Sequence, residues 1–249
     1  MWKERLQSFS FWSYDETRNT PSIDWSSKLS PYLRFGLLSP REIYQTAKSL
    51  WASTYISELA WREFWQHIFY HFPHSREVEF QEKRRNIAWK NTPEHLDARK
   101  NGLTGYPFVD AWMRQLKAEN RMHNRVRMVV ASFLTKDLLI DRRLWEKHFA
   151  SLLIDYDTNV NIWNRQRAAS VWADPKPLRI FSPMLQSERF DPQCTYIKNR
   201  IPELSDMEPE KIHAPLEYDL WYAKPIVDHY ERTKLAKIAY KDSSEKTTI

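Results

Sequence analysis

The residues best equipped for chemistry in this 249-residue chain are cationic and aromatic together. Arg121-Met122-His123-Asn124-Arg125-Val126-Arg127-Met128 sets three arginines close together on an expected helix, and Lys83-Arg84-Arg85, Arg165-Gln166-Arg167 and Lys198-Asn199-Arg200 add separate clusters. Such charge neutralises phosphates, while the chain's 12 tryptophans can stack on bases or on a flat cofactor. Charged runs also mark ordinary solvated helix faces, and tryptophans at helical spacing ordinarily fill cores. Composition therefore leaves nucleic-acid binding and a plain helical scaffold both open.

Three other patterns carry less. Asp155-Tyr156-Asp157-Thr158-Asn159-Val160-Asn161 alternates oxygen ligands as a calcium loop does, but Val160 stands where the turn needs glycine and Gln166 where a bidentate glutamate is needed. His67 and His71 lie one helical turn apart without a third ligand, so no metal site is expected. Cys194, the single cysteine, cannot form an internal disulfide and reads as a small buried hydrophobe.

The elements that must position these residues read as helices throughout. Ser39-Pro40-Arg41-Glu42 is a capping box that starts a helix running to about Leu50. Ile56, Leu59, Ala60, Phe64 and Ile68 form one face of a long helix ending near Pro73. Thr92-Pro93 opens a short helix closed at Asn101-Gly102; Tyr106 to about Asn120 and Met122 to about Leu139 follow, and Asp141 caps another to about Leu153. Pro175, Pro177 and Pro183 interrupt the pattern before a last helix from about Pro225 to Tyr240. The reading is one all-α domain over residues 1–240, followed by a polar tail, 241–249, expected to be disordered.

Only three glycines occur, Gly36, Gly102 and Gly105, which excludes a P-loop and a G-x-G-x-x-G nucleotide fold. A net charge of +6 favours polyanionic partners. No apolar stretch is long enough to span a bilayer, no signal peptide is evident, and the mean hydropathy is −0.70, so a soluble, cytoplasmic protein is expected.

Ser57-Glu58-Leu59-Ala60-Trp61-Arg62-Glu63-Phe64-Trp65, Thr104-Gly105-Tyr106-Pro107-Phe108-Val109-Asp110-Ala111 and Met122-His123-Asn124-Arg125-Val126-Arg127-Met128 stand in an order that resembles the FAD-binding helical domain of the DNA photolyase and cryptochrome family. Lys136 to Asp141, Leu153-Ile154-Asp155 and Arg179-Ile180-Phe181-Ser182-Pro183 extend the resemblance, which covers about Tyr14 to Leu204. It implies an all-α photolyase/cryptochrome-like fold around a U-shaped FAD. Ser26-Ser27-Lys28-Leu29-Ser30 resembles the family's T-S-x-L-S loop, which holds the pyrophosphate ahead of a helix expected to begin at Pro31. Tyr14 matches a tyrosine near this phosphate, and Tyr55 and Arg62 also match cofactor-binding positions. Arg127 and Asp155 match a pair beside the isoalloxazine, Asp157 lies at the ribose and ring edge, and Asn161 faces flavin N5.

The resemblance further implies DNA as the partner. In photolyases, light-excited reduced FAD gives an electron to a flipped pyrimidine dimer, the dimer splits and the electron returns. Glu58, Trp61, Asn124 and Met128 match positions lining the lesion cavity, so these four with Asn161 are the expected catalytic set. Arg18 and Arg125 match contacts to the DNA backbone.

Three positions depart from the family. In Asn161-Ile162-Trp163-Asn164-Arg165-Gln166-Arg167 the usual N-x-G-x-W-Q-W has lost both motif tryptophans, at Arg165 in the electron-transfer chain and at Arg167 in the lesion clamp. Arg142 replaces the middle chain tryptophan, and Trp89 retains the outermost. Arginine has no accessible oxidised state, so the usual hopping route is cut; Trp163 and Trp145 are candidates for a detour. Arg167 remains able to stack on a base or grip a phosphate. The antenna domain of the family and its second chromophore are not expected here, and the initial Met1 favours a complete short chain over a fragment. The leading expectation is a light-driven photolyase-type lyase acting on DNA. A cryptochrome-like flavoprotein without repair activity and a flavin-free nucleic-acid-binding module are the alternatives.

Overall fold

A computed structural model describes residues 2–20, 26–173 and 178–245, so Pro175 and Pro177 lie outside the described residues. Every regular element among them is helical. The first group comprises α1 (Trp2–Ser8), α2 (Tyr14–Thr17), α3 (Ser30–Arg34), α4 (Pro40–Ser49) and α5 (Ser53–His71). The central group comprises α6 (Pro93–Asn101), α7 (Pro107–Glu119), α8 (Asn124–Ser132), α9 (Arg142–Leu152) and α10 (Thr158–Ala168). The last group comprises α11 (Pro183–Phe190), α12 (Thr195–Arg200), α13 (Pro209–His213) and α14 (His229–Glu245). No helix among the described residues is long and apolar enough to cross a membrane, and no three of their His, Cys, Asp or Glu side chains gather as metal ligands.

Sequence signals account for most boundaries. Ser39 accepts a hydrogen bond from Arg41 N at the start of α4, and Asp141 accepts one from Arg143 N at the start of α9. Gly102 and Asn120 take left-handed conformations where α6 and α7 end. Gly105 must be glycine for a further reason: at φ +78°, a Cβ there would stand 2.3 Å from the backbone of Lys224 and Pro225. This close approach lets the loop before α14 cross the start of α7, where Ile226 N donates to Thr104 O.

Three expected boundaries are corrected. The helix expected from Met122 begins at Asn124, because the His123 side chain caps Arg125 N, and Met122 O is engaged by Arg127 Nε. Arg121 therefore lies outside the helix that carries Arg125 and Arg127. After Ser132 the chain widens into a π-helix, Phe133–Asp137, before Leu139 turns at φ +50°. The last helix starts at His229 instead of Pro225, since Asp228 accepts from Tyr230 N and Glu231 N and so caps it there. It continues to Glu245 instead of stopping at Tyr240. Arg84 holds this last turn through Tyr240 O and the hydroxyls of Ser243 and Ser244, so residues 241–245 of the expected tail are helical; residues 246–249 lie outside the description.

The main core joins α7, α8, the π-helix, α9 and α12 through Trp112, Val126, Val130, Phe133, Trp145 and Ile197, all buried. A smaller core of Phe11, Leu29, Ile43, Ala47 and Tyr55 ties α1–α4 to α5. Helix α5 also packs on α10, and the candidate site lies where these two helices meet α8 and the loop before α3.

Candidate functional site

Helix α10 begins at an aspartate that does several things at once. Asp157 accepts from Asn159 N and Val160 N at 3.0 and 3.2 Å, capping the helix. Its carboxylate also takes Gln66 Nε2 at 3.1 Å and lies 3.8 Å from Arg62 Nη2, so two groups of α5 converge on the same helix start. Arg34, Arg62, Gln66, Asp157, Thr158 and Asn159 line an open polar cleft of about 350 Å³.

Beside it, Arg127 of α8 donates through Nη2 to both carboxylate oxygens of Asp155, at 2.9 and 3.0 Å. Burial alone would raise the Asp155 carboxyl, but the Arg127 guanidinium and the Ser30 hydroxyl outweigh it and hold the group below the usual carboxylate range. Asp155 and Asp157 are thereby committed to an arginine and a helix cap, which accounts for their alternation without a metal.

One turn into α10, the carboxamide of Asn161 is held at both ends. Its Nδ2 donates to Asp157 O at 2.9 Å, and its Oδ1 accepts from Arg165 Nη2 at 3.1 Å. Arg165 is buried, its guanidinium stacked over Trp145 and Phe149 with centroid distances of 4.6 and 4.7 Å, and its Nη1 has no hydrogen-bond partner. Burial pulls its pKa down to about 9, which leaves it charged at neutral pH.

On the other side, Ser27 Oγ lies 2.9 Å from Tyr55 OH, and Tyr55 stands in edge contact with Tyr14 at 5.0 Å. Within the segment 26–30, Leu29 is buried, Ser26 and Ser30 are exposed, and Lys28 takes φ +52°. Helix α3 begins at Ser30, one residue before the expected Pro31, and is only five residues long, so its dipole is small.

The wall formed by α5 and α8 has a different character. Arg18 Nη2 pairs with Glu58 Oε1 at 2.7 Å, so two residues carried over with separate contacts meet each other. Arg167 stands over the half-exposed Trp61 ring at 5.6 Å. Arg125 donates to Asn19 Oδ1 and lies 5.0 Å from the Phe190 ring, while Asn124 is exposed and Met128 partly so. Burial, with Arg127 and Arg125 adding to it, holds the His123 imidazole down at about 4, so it caps α8 in its neutral form.

Behind this wall the tryptophans form a connected series: Trp61 stacks on Trp65 at 5.7 Å, Trp65 on Trp163 at 6.4 Å, and Trp163 meets Trp172 edge-on at 4.3 Å. Trp145 touches Phe149 and Arg165 but makes no ring contact with Trp163 among the described residues, so the two detour candidates belong to different clusters. Trp89 packs apart from both, edge-on to Tyr240 at 6.3 Å. The sequence offered no sign of Arg34 and Gln66 as site residues, and Asn159 stood out only within the calcium-like alternation, because their convergence depends on how α3 and α5 meet α10. Trp65 was inside a recognised segment, and its four-residue spacing from Trp61 was the available signal.

The family described as the FAD binding domain of DNA photolyase matches residues 55–242, which takes in α5 through nearly all of α14. The chain belongs to the DNA photolyase family. A curated photolyase relative, the deoxyribodipyrimidine photo-lyase of Alkalihalophilus pseudofirmus, is 43% identical over 97% of this chain and 55% of its own length. The crystal structure of a bacterial class III photolyase from Agrobacterium tumefaciens superposes with a TM-score of 0.94 at 37% identity, covering 98% of this chain and 55% of that one. A Synechocystis cryptochrome superposes with a TM-score of 0.89 at 33% identity, covering 96% and 55%. The chain thus spans about half the length of the photolyase relatives it matches.

FAD is the cofactor of this photolyase domain. The residues present fit it: the polar cleft offers cations and amides for a charged, hydroxylated chain, Ser27 and Tyr55 add hydroxyls, and the buried Arg165 Nη1 is a donor awaiting an acceptor.

Proposed function

We propose that this chain holds FAD between α5, α8 and α10 and takes part in light-driven splitting of pyrimidine dimers in DNA. The observation that supports the reading is Asp157 lining the polar cleft, with Asn161 bonded to its carbonyl, the Arg127–Asp155 pair two residues before it, and Arg167 over the Trp61 ring of α5. When bound, FAD supplies the light absorption and the electron; the protein's own groups bind, orient and exclude water.

In this reading Tyr14, Ser26, Ser27, Lys28, Leu29, Ser30, Tyr55 and Arg62 serve the phosphate and ribose part. Arg127 and Asp155 flank the ring, Asp157 its edge, and Asn161 presents its amide to it. Fixed charges in a region of scarce water act strongly, so a preset Arg–carboxylate pair orients the ring without reorganising. Glu58, Trp61, Asn124 and Met128 form the lesion cavity, with an apolar stacking surface and a few polar contacts for a flipped base. Arg18, Arg125 and Arg167 serve the nucleic acid.

A second reading, a cryptochrome-like flavoprotein without repair, is favoured by one specific observation. The lesion wall carries Arg167 over Trp61 where the family resemblance implies a second indole, and Glu58 is already paired to Arg18. Purified protein should be yellow. With pre-reduced cofactor, loss of thymine dimers from an irradiated oligonucleotide under blue light supports repair; a yellow protein that leaves the dimers intact supports the second reading, and a colourless one that does not take up added FAD overturns both.

A further inference from the structure

We infer that Arg165 is a positioning and poising residue for the cofactor: it fixes the amide of Asn161 and places a buried positive charge without a direct ion-pair partner beside the isoalloxazine site. The inference rests on the FAD reading above. Asn161 and Arg165 are one helical turn apart on α10, and both are buried, with 6% of each exposed. Arg165 Nη2 takes Asn161 Oδ1 at 3.1 Å while Asn161 Nδ2 donates to Asp157 O at 2.9 Å. With the oxygen turned to Arg165 and one N–H spent on Asp157, the second N–H is the donor left for a ligand.

Arg165 differs from two neighbouring arginines in lacking an ion pair, and from the cleft-lining Arg34, which is exposed and donates to Tyr156 O, in being buried. Arg127 is paired with Asp155, and Arg62 with Glu63 at 2.6 Å. Arg165 makes no ion pair within 4 Å among the described residues, and Nη1 has no hydrogen-bond partner. Trp145 and Phe149 clamp its guanidinium, so the charge cannot swing out to solvent. Burial brings its pKa down to about 9, with Glu146 and Tyr156 acting to raise it and Arg127 and Arg99 to lower it, so the guanidinium stays protonated at neutral pH.

A fixed cation in a place poor in water favours negative charge near it. Two-electron reduction makes the isoalloxazine more negative, so this cation binds the reduced cofactor more tightly than the oxidised one. By linkage, that difference raises the midpoint potential of the bound couple. An indole at position 165 would bring no such charge. The residue that interrupts the usual hopping route thus takes up an electrostatic task at the same place.

The test uses the full chain loaded with FAD, its midpoint potential read by equilibration with a reference dye. Arg165→Met and Arg165→Gln remove the charge, and Arg165→Lys keeps it. The ratio of reduced to oxidised affinity should fall at least about tenfold in the Met and Gln variants, equivalent to a midpoint lower by about 30 mV for a two-electron couple. In the Lys variant it should stay within about threefold of the parent. An unchanged ratio in a folded, FAD-loaded Met or Gln variant overturns the inference alone. Failure of both neutral variants to fold makes Arg165 a scaffold residue and overturns it too. A parent chain that binds no FAD overturns the underlying reading and the inference together.

Discussion

Arg127 and Asp155 form a two-point contact, one guanidinium nitrogen reaching both carboxylate oxygens at 2.9 and 3.0 Å, across the gap between α8 and the loop before α10. Only 11% of the Asp155 side chain is exposed, so removing one partner strands the other where water reaches it poorly. Arg127→Ala should cost roughly 3 kcal/mol of stability and weaken FAD retention. Urea denaturation and the flavin absorbance left after gel filtration check the two effects separately. Tight FAD retention by the variant would remove the pair from the cofactor site.

The same pair sets a response to acid. Because the Asp155 carboxyl is held below its ordinary value in the folded state, its contribution is present above the unfolded-state pKa of 3.8 and is lost as pH falls through the folded value. Asp155→Asn should therefore reduce the dependence of stability on pH below about 4, a region accessible to thermal melts.

Lys136 gives a slope of the same sign at the alkaline side. Its amine is fully buried in the π-helix and donates to Ala168 O and Arg179 O, which a neutral amine can still do with its two hydrogens. Burial pushes its pKa from 10.5 down to about 7. Between pH 7 and 9 the unfolded chain then carries a proton that the folded one has shed, and stability rises with pH by at most about 1.4 kcal/mol per unit. Lys136→Met should flatten that rise, as seen in denaturation midpoints across the interval.

The tryptophan contacts separate the two detour candidates. Trp163 continues the Trp61–Trp65 stack towards the half-buried Trp172, whereas Trp145 ends against Arg165. Under blue light with an external thiol as reductant, Trp163→Phe should slow the bleaching of the oxidised flavin band by about tenfold or more (1.4 kcal/mol in barrier terms), and Trp145→Phe should leave it within twofold. Equal rates in both variants and the parent would show that the stack conducts nothing.

Arg125 addresses the nucleic acid. Arg125→Ala should weaken binding to a short duplex similarly for all sequences and lower the slope of log affinity against log salt by about one. Fluorescence anisotropy over a salt series measures it, and the flavin spectrum should not change.

The helical order was legible because its signals are local: capping residues at Ser39 and Asp141, and left-handed stops at Gly102 and Asn120. The start at Asn124 was missed because a histidine cap competes weakly with an apolar pattern that runs through Met122. The end of α14 was missed because polar residues at 241–245 gain their helix from Arg84, more than 150 positions away in the chain. In the site, the Arg127–Asp155 pair could be read from motif order, since both residues stand in recognisable segments. The Arg18–Glu58 contact and the stacking of Trp65 on Trp163 could not, because each depends on the angle at which helices far apart in sequence meet.

Arg142, where the family resemblance implies an indole, is buried against Glu79 at 3.3 Å, with 1% and 4% of the two side chains exposed. Replacing it by tryptophan would leave the enclosed glutamate without its buried ion-pair partner, at a cost of about 3 kcal/mol. An aromatic residue at position 142 is therefore accommodated better when position 79 is made neutral with it, because the two side chains share one enclosed site.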